Sequence, residues 1–169
     1  TLSLLVAGLF APPAGAQVLP RNAVVVQGAL PPQVSGAQMV VAQTQSRAII
    51  NWESFSIGRG ASVRFDQQGQ RDWAVLNRVV GNERSLIEGV LQADGSVYLI
   101  NRNGIVFGQG AVVDVGSFVA STMNVSDKVF RDGLLSLPVE RPAFSTEEHP
   151  DYLPRAGIRI EPDAVIQAA

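Results

Sequence analysis

The chain of 169 residues contains no cysteine, which excludes disulfides, thiol nucleophiles and cysteine metal sites together. His149 is the single histidine, too little for a histidine-built zinc centre. Lys128 is the sole lysine, and 13 basic against 15 acidic residues give a formal net charge of −2. The dense cationic surface of a nucleic-acid binder is therefore missing, and no nucleic-acid partner is expected. No internal run is long and apolar enough to span a bilayer; the one lipid-like stretch is Leu2 to Phe10. Aromatics make up only 7%, whereas glycine (16) and proline (10) are frequent, as many short, sharply turned strands require.

Leu2 to Phe10 reads as the apolar region of a secretory leader. Pro12-Pro13 and the small-x-small site Ala14-Gly15-Ala16 follow it, so cleavage would leave Gln17 as the new terminus. Residues 1–16 are thus expected to be the C-terminal part of a signal peptide, handled by the general secretion machinery and signal peptidase. A basic leader region and an initiating methionine are absent, and the strand pattern of Ala164 to Ala169 simply stops. Both observations predict a chain cut from a longer precursor.

What is present is repetition. An apolar residue followed by asparagine recurs at Ile50-Asn51, Leu76-Asn77, Ile100-Asn101 and Met123-Asn124, at steps of 26, 24 and 23 (77−51, 101−77, 124−101). About 24 residues at roughly 3.3 Å each make a perimeter near ~80 Å, one coil of three short strands. A second repeat relates Ile57-Gly58-Arg59-Gly60-Ala61-Ser62-Val63 to Phe107-Gly108-Gln109-Gly110-Ala111-Val112-Val113, offset by 50 (111−61). A weaker third copy is Ile160 to Ile166.

The periodicity is two. Ala61, Val63 and Phe65 alternate with Ser62, Arg64 and Asp66, and the apolar set is expected to face a core. Ala111, Val113 and Val115 repeat this around Asp114, as do Ile158 and Ile160 around Arg159. Helix is not expected beyond a turn or two. The expected fold is all-β: a parallel β-helix whose coils are stable only as a stack. Residues 17–47, with Ala23-Val24-Val25-Val26, Pro31-Pro32 and Met39-Val40-Val41, lack the coil interval and are read as an N-terminal β cap over the first coil. Residues 48–169 are read as coils, with an extra-helical hairpin or loop at about 126–157, where charges crowd around Pro138, Pro142, Pro150 and Pro154. Asn51, Asn77, Asn101 and Asn124 are candidates for a coil-to-coil amide ladder, with simple turn preference as the alternative.

Three runs then carry a family resemblance: Gln43 to Gly58 (QTQSRAIINWESFSIG), Val75 to Gly81 (VLNRVVG) and Ser96 to Gly108 (SVYLINRNGIVFG). Together with Val119 to Ser126 they resemble the two-partner secretion domain, the N-terminal haemagglutination-activity domain of filamentous-haemagglutinin-like exoproteins. The match spans about Leu19 to Ser126. The family's Asn-Pro-Asn-Gly-Ile motif corresponds to Asn101-Arg102-Asn103-Gly104-Ile105, with Arg102 in place of proline. The resemblance implies a right-handed, single-stranded parallel β-helix at the start of a large exoprotein. It further implies recognition by an outer-membrane β-barrel transporter through its POTRA domains, passage in an unfolded state and folding at the surface. Localisation would be secreted or cell-surface, through the periplasm of a Gram-negative bacterium. No cofactor is implied. The passenger would decide any contact with host receptors or glycans, and adhesin, haemolysin, growth-inhibition toxin and haem-acquisition passengers are all found behind such domains.

The motif residues to test are Asn77, Arg78, Gly81, Asn101, Arg102, Asn103, Gly104 and Ile105. Asn77-Arg78 and Asn101-Arg102 stand 24 apart (101−77), which would put Arg78 and Arg102 on adjacent coils as a small basic docking edge, with purely structural roles for these residues as the alternative. Coil-by-coil folding of the emerging chain, each coil templated by the last, would bias movement outward. Two rival functions remain at this stage. One is a β-helix polysaccharide lyase or hydrolase using Asp66, Asp94 and Asp114, whose spacings of 28 and 20 (94−66, 114−94) do not match the coil interval. The other is an adhesin in which Trp52 and Trp73 stack on sugars, a role less common for tryptophan than filling a core.

Overall fold

A computed structural model describes residues 18–133, Phe144 and residues 156–169. The proposed leader, with Ala14, Ala16 and Gln17, and most of the expected excursion lie outside the described residues.

Among the described residues there are fourteen strands, arranged in three sheets, and one short helix. The first face holds β1 (Val24–Gln27), β4 (Arg47–Trp52), β6 (Ala74–Val79), β9 (Ser96–Ile100) and β12 (Ser117–Ser121), in the order β1-β4-β6-β9-β12. A second, short face holds β7 (Ser85–Ile87), β10 (Ile105–Phe107) and β13 (Ile158–Ile160), and Ile57 extends it by a parallel bridge to Ile87. The third face runs β14-β11-β8-β5-β3-β2, from β14 (Val165–Ala168), β11 (Val112–Val115), β8 (Val90–Ala93), β5 (Ser62–Asp66) and β3 (Gln38–Ala42) to β2 (Gln33–Ser35). Following the chain, each coil visits the three faces in turn, and pairing between coils is parallel throughout. This is a parallel β-solenoid.

The alternation predicted from the sequence is the core. Ala61, Val63, Phe65, Ala111, Val113 and Val115 are buried inside the coil with Ile50, Val75, Val97 and Leu99, while Arg64 and Asp114 point outward. The offset-50 repeat is a true register, since Ser62 pairs with Val90 and Val90 with Val112. The third copy is also in register, Phe107 beside Ile160 and Val112 beside Val165. Ile158 and Ile160 continue the inward column, yet they are 43% and 60% exposed, because β13 is the edge strand of its face among the described residues.

The regular asparagine interval is not the register. Arg47 pairs with Ala74, Ala74 with Ser96 and Ser96 with Ser117, giving steps of 27, 22 and 21 (74−47, 96−74, 117−96). Corners absorb the difference. The cap is also smaller than expected: β1 and β2 are antiparallel to β4 and β3, but β3 runs parallel to β5 and buries Met39 and Val41, so it belongs to the stack. Met39 pairs with Val63, a 24-residue step (63−39) hidden in a segment read as irregular.

The middle of the first face, β4 and β6, is buried on both sides, which alternation alone did not predict. Every residue of β6 is buried. Ala74, Leu76, Ile49 and Ile100 point away from the coil interior and form a second apolar cluster with Val125 and Phe130. Phe130 belongs to helix α1 (Asp127–Asp132), whose N-cap Ser126 accepts from the Val129 amide. The helix lies over the sheet, with Phe130 edge-on to Tyr98 at 5.2 Å between ring centroids.

Candidate functional site

The corner joining the first face to the second carries the motif residues. Three segments stack there: the residues after Trp52, then Val80 to Arg84, then Asn101 to Gly104. Asn101 is fully buried and donates through Nδ2 to the Glu83 carbonyl (3.0 Å) and Ser85 Oγ (3.0 Å), one coil away. Its Oδ1 accepts from the Asn103 backbone amide at 2.9 Å, a side-chain-closed turn. Asn103 Nδ2 donates to the Gly81 carbonyl at 2.9 Å. Gly104 closes the turn at φ +101°, a left-handed backbone that favours glycine, and Ile105 then enters the core. The motif is therefore a device for fastening one corner onto the corner before it.

Gly81 shows how tight that stacking is. A Cβ there would sit 2.1 Å from the Glu53 carbonyl oxygen. Gly81→Ala is expected to cost about 1–3 kcal/mol, because backbone must retreat from backbone. Denaturant unfolding would register this as a lower midpoint with unchanged slope, and an unchanged midpoint would contradict the packing described.

Asn77 and Arg78 sit on the first face, on opposite sides of β6. Asn77 points into the coil, where its Oδ1 accepts from Trp52 Nε1 at 3.0 Å. Arg78 points outward but is covered, only 8% exposed. Its guanidinium donates to Asn51 Oδ1 (3.0 Å), Asn124 Oδ1 (2.8 Å), the Val125 carbonyl (2.8 Å) and Asp127 Oδ1 (2.7 Å). A basic edge of Arg78 and Arg102 is thus not what the fold makes, because Arg78 is sealed beneath Asn124 to Asp127. The asparagine ladder does not form either. Asn51 pairs with Arg78, and Asn77 pairs with Leu99, two residues short of Asn101. Asn51 and Asn124 instead meet on the one guanidinium between them.

An amide ladder does exist, made of glutamine. Buried Gln67 donates through Nε2 to Gln43 Oε1 at 3.0 Å, and Gln67 Oε1 accepts from the Gly95 amide at 2.6 Å. Gln43 Nε2 in turn donates to the Ala74 carbonyl. The 24-residue spacing of Gln43 and Gln67 (67−43) was the available signal. Asp94 caps the same corner by accepting from the Gln67 and Gly69 amides. Asp66 accepts from the Gln68 amide, and Asp114 is exposed on β11. Asp66 and Asp94 therefore meet at one corner after all, because their 28-residue spacing is the β5–β8 register, and there both close the same turn through backbone amides, while Asp114 stands apart on the outside of β11. Trp52 is fully buried, edge-on to Phe55 at 5.4 Å between ring centroids, and offers no face to a sugar.

Two open grooves adjoin the motif corner: one of about 560 Å³ lined by Arg21, Ser54, Ser56 and Glu83, among others, and one of about 540 Å³ lined by Asn82, Arg84, Asn103, Gly104, Gly157 and Arg159, among others, which is the one that borders the motif turn itself. Gly104 and Gly157 leave part of it without side chains. Arg84 is exposed, and Arg159 is 74% exposed with Nε 3.7 Å from Glu161. At this same corner the fourth coil departs from the stack. The step from β10 to β13 is 53 residues (158−105), against 21 from β9 to β12 (117−96).

Comparison with known proteins agrees with this architecture. The chain is 40% identical over 88 residues, and 38% over 112, to heme/hemopexin-binding proteins from two sources of Haemophilus influenzae. These matches cover 52% and 66% of this chain but only 9% and 12% of the relatives, so the chain spans about a tenth of the curated proteins it resembles. Its structure is similar to the crystal structure of the HMW1 secretion domain from Haemophilus influenzae, with a TM-score of 0.63 and 35% identity over 67% of this chain and 30% of that one. The family described as the TPS secretion domain, which is a secretion rather than an enzyme family, matches residues 16–147. With a solenoid of the same kind and a family match over most of its length, the chain belongs to the TPS secretion domain family.

Proposed function

We propose that this domain directs the export of a longer exoprotein by docking its motif corner on the periplasmic POTRA domains of a cognate outer-membrane transporter. The observation that carries the reading is the groove beside Asn103 and Gly104, the accessible surface of a corner whose other motif groups are spent on internal bonds. Arg84 and Arg159 give it a positive wall suited to carboxylates on the partner. Asn77, Arg78, Gly81, Asn101 and Ile105 serve by holding that surface in shape.

Residues 1–16 act as the leader, removed after Ala16, which agrees with a family match that begins at residue 16. The antiparallel strands β1 and β2 cap the first coil of the stack. The route runs through the periplasm to the surface or medium. Haem acquisition is the passenger role suggested by the names of the two curated relatives, and it would reside in the part of the exoprotein beyond this chain.

The test is binding of the chain to the isolated POTRA domains of that transporter. Arg84→Glu combined with Arg159→Glu should weaken binding about tenfold, equivalent to about 1.4 kcal/mol, with folding intact because both side chains are solvent-exposed. Undiminished binding by the folded double variant would end the assignment of this groove.

A further inference from the structure

The Arg78 guanidinium belongs to the second strand of the parallel stack on the first face, but three of its four acceptors come from 46 to 49 residues downstream. In a chain extending no further than Met123 it would keep Asn51 alone. The same downstream segment covers the outward apolar side of three successive coils. Val125 and Phe130 cluster with Ile49 of β4, Ala74 and Leu76 of β6, and Ile100 of β9. Arg131 reaches Gln27 of β1 at 3.4 Å, so α1 also touches the cap.

We infer that Asn124 to Phe130 is a clamp that makes the cap and the first three coils fold as one unit, conditional on the arrival of this segment. Without that segment Arg78 returns to water and the outward apolar side of β4, β6 and β9 stays uncovered, so the early coils lack a large part of the burial that would offset the entropy of ordering them. Parallel pairing adds to this, since each contact closes a loop of 20 or more residues before it is rewarded. Coil-by-coil templating from the N-terminus is therefore not how the first coils form. A chain delivered only as far as residue 123 stays unfolded, and delivery through α1 releases the fold in one cooperative step. This concerns folding and holds whether or not the groove binds a transporter.

Pulse-labelled hydrogen exchange during refolding of the 169-residue chain tests the clamp. The amides of β4 and β6 should gain protection in the same phase as the Val129 and Phe130 amides. Protection of β4 and β6 about tenfold sooner than those of α1 would overturn the inference, since it is the order that templating of successive contacts produces. A second arm uses Asn124→Ala with Asp127→Asn, which loosens the clamp while leaving Arg78 in place. In the native state this double variant should speed exchange in β4 and β6 about tenfold, together with α1. Faster exchange confined to residues 124–133, with β4 and β6 unchanged, would equally defeat it.

Discussion

Arg78→Ala is expected to lower the unfolding free energy by about 3–5 kcal/mol, the range for removing one partner of a buried ion pair. The side chain is 10% exposed and its loss orphans acceptors on Asn51, Asn124, Val125 and Asp127 at once. Arg78→Lys should recover little, since an ammonium cannot reproduce a planar fork that reaches four acceptors. Asp127→Asn should cost less, because its carboxylate is 35% exposed and an amide oxygen can still accept. Denaturant unfolding of the three variants checks the ranking, and an Arg78→Ala loss below about 1 kcal/mol would place this arginine among ordinary surface pairs.

The second large effect is expected at Trp52. Trp52→Ala should cost about 3–5 kcal/mol, because the fully buried indole leaves a cavity between Phe55 and the first-face core. Trp52→Phe separates volume from hydrogen bonding. Most of the ring remains, but Asn77 Oδ1 loses the indole donor that satisfied it inside the coil, a loss of about 1–3 kcal/mol. Adding Asn77→Leu to Trp52→Phe removes both partners of the bond and should recover part of that loss. A double-mutant cycle with no coupling between the two positions would contradict the contact.

The parts of this fold that could be read from the chain were those governed by a strict period. Ala61, Val63 and Phe65 alternate because one side of a strand faces the core and the other faces water, and the same alternation located the repeats at Ala111 and Ile160. The Asn101 to Ile105 motif falls at the corner between the first and second faces. Position within that corner was not legible. Asparagine spacing suggested a ladder, but corners of unequal length shift each coil on the first face, so Asn51, Asn77 and Asn101 fall out of register with one another. Arg78 looked like a surface charge because its partners are distant in sequence, and nothing local distinguishes a solvated guanidinium from a clamped one. The covering by α1 did leave a trace. Within Arg47–Trp52 and Ala74–Val79 the alternation gives way to the unbroken apolar triplets Ala48-Ile49-Ile50 and Ala74-Val75-Leu76, as in strands buried on both faces.

The functional consequence is a division of labour at one corner. Buried amides and glycines fix its shape, and under the proposed docking the exposed Arg84 and Arg159 would meet the partner. On that proposal stability of the stack and recognition are linked, because Gly81 and Asn101 hold the segment that carries Arg84.

Export itself is the most direct measurement. The exoprotein is expressed behind its leader with and without the cognate outer-membrane transporter, intact or lacking residues 18–133, and the protein released to the surface or medium is quantified. Release should require both the transporter and residues 18–133. Equal release after deletion of those residues, or in the absence of the transporter, would contradict the assignment of this domain as the export signal.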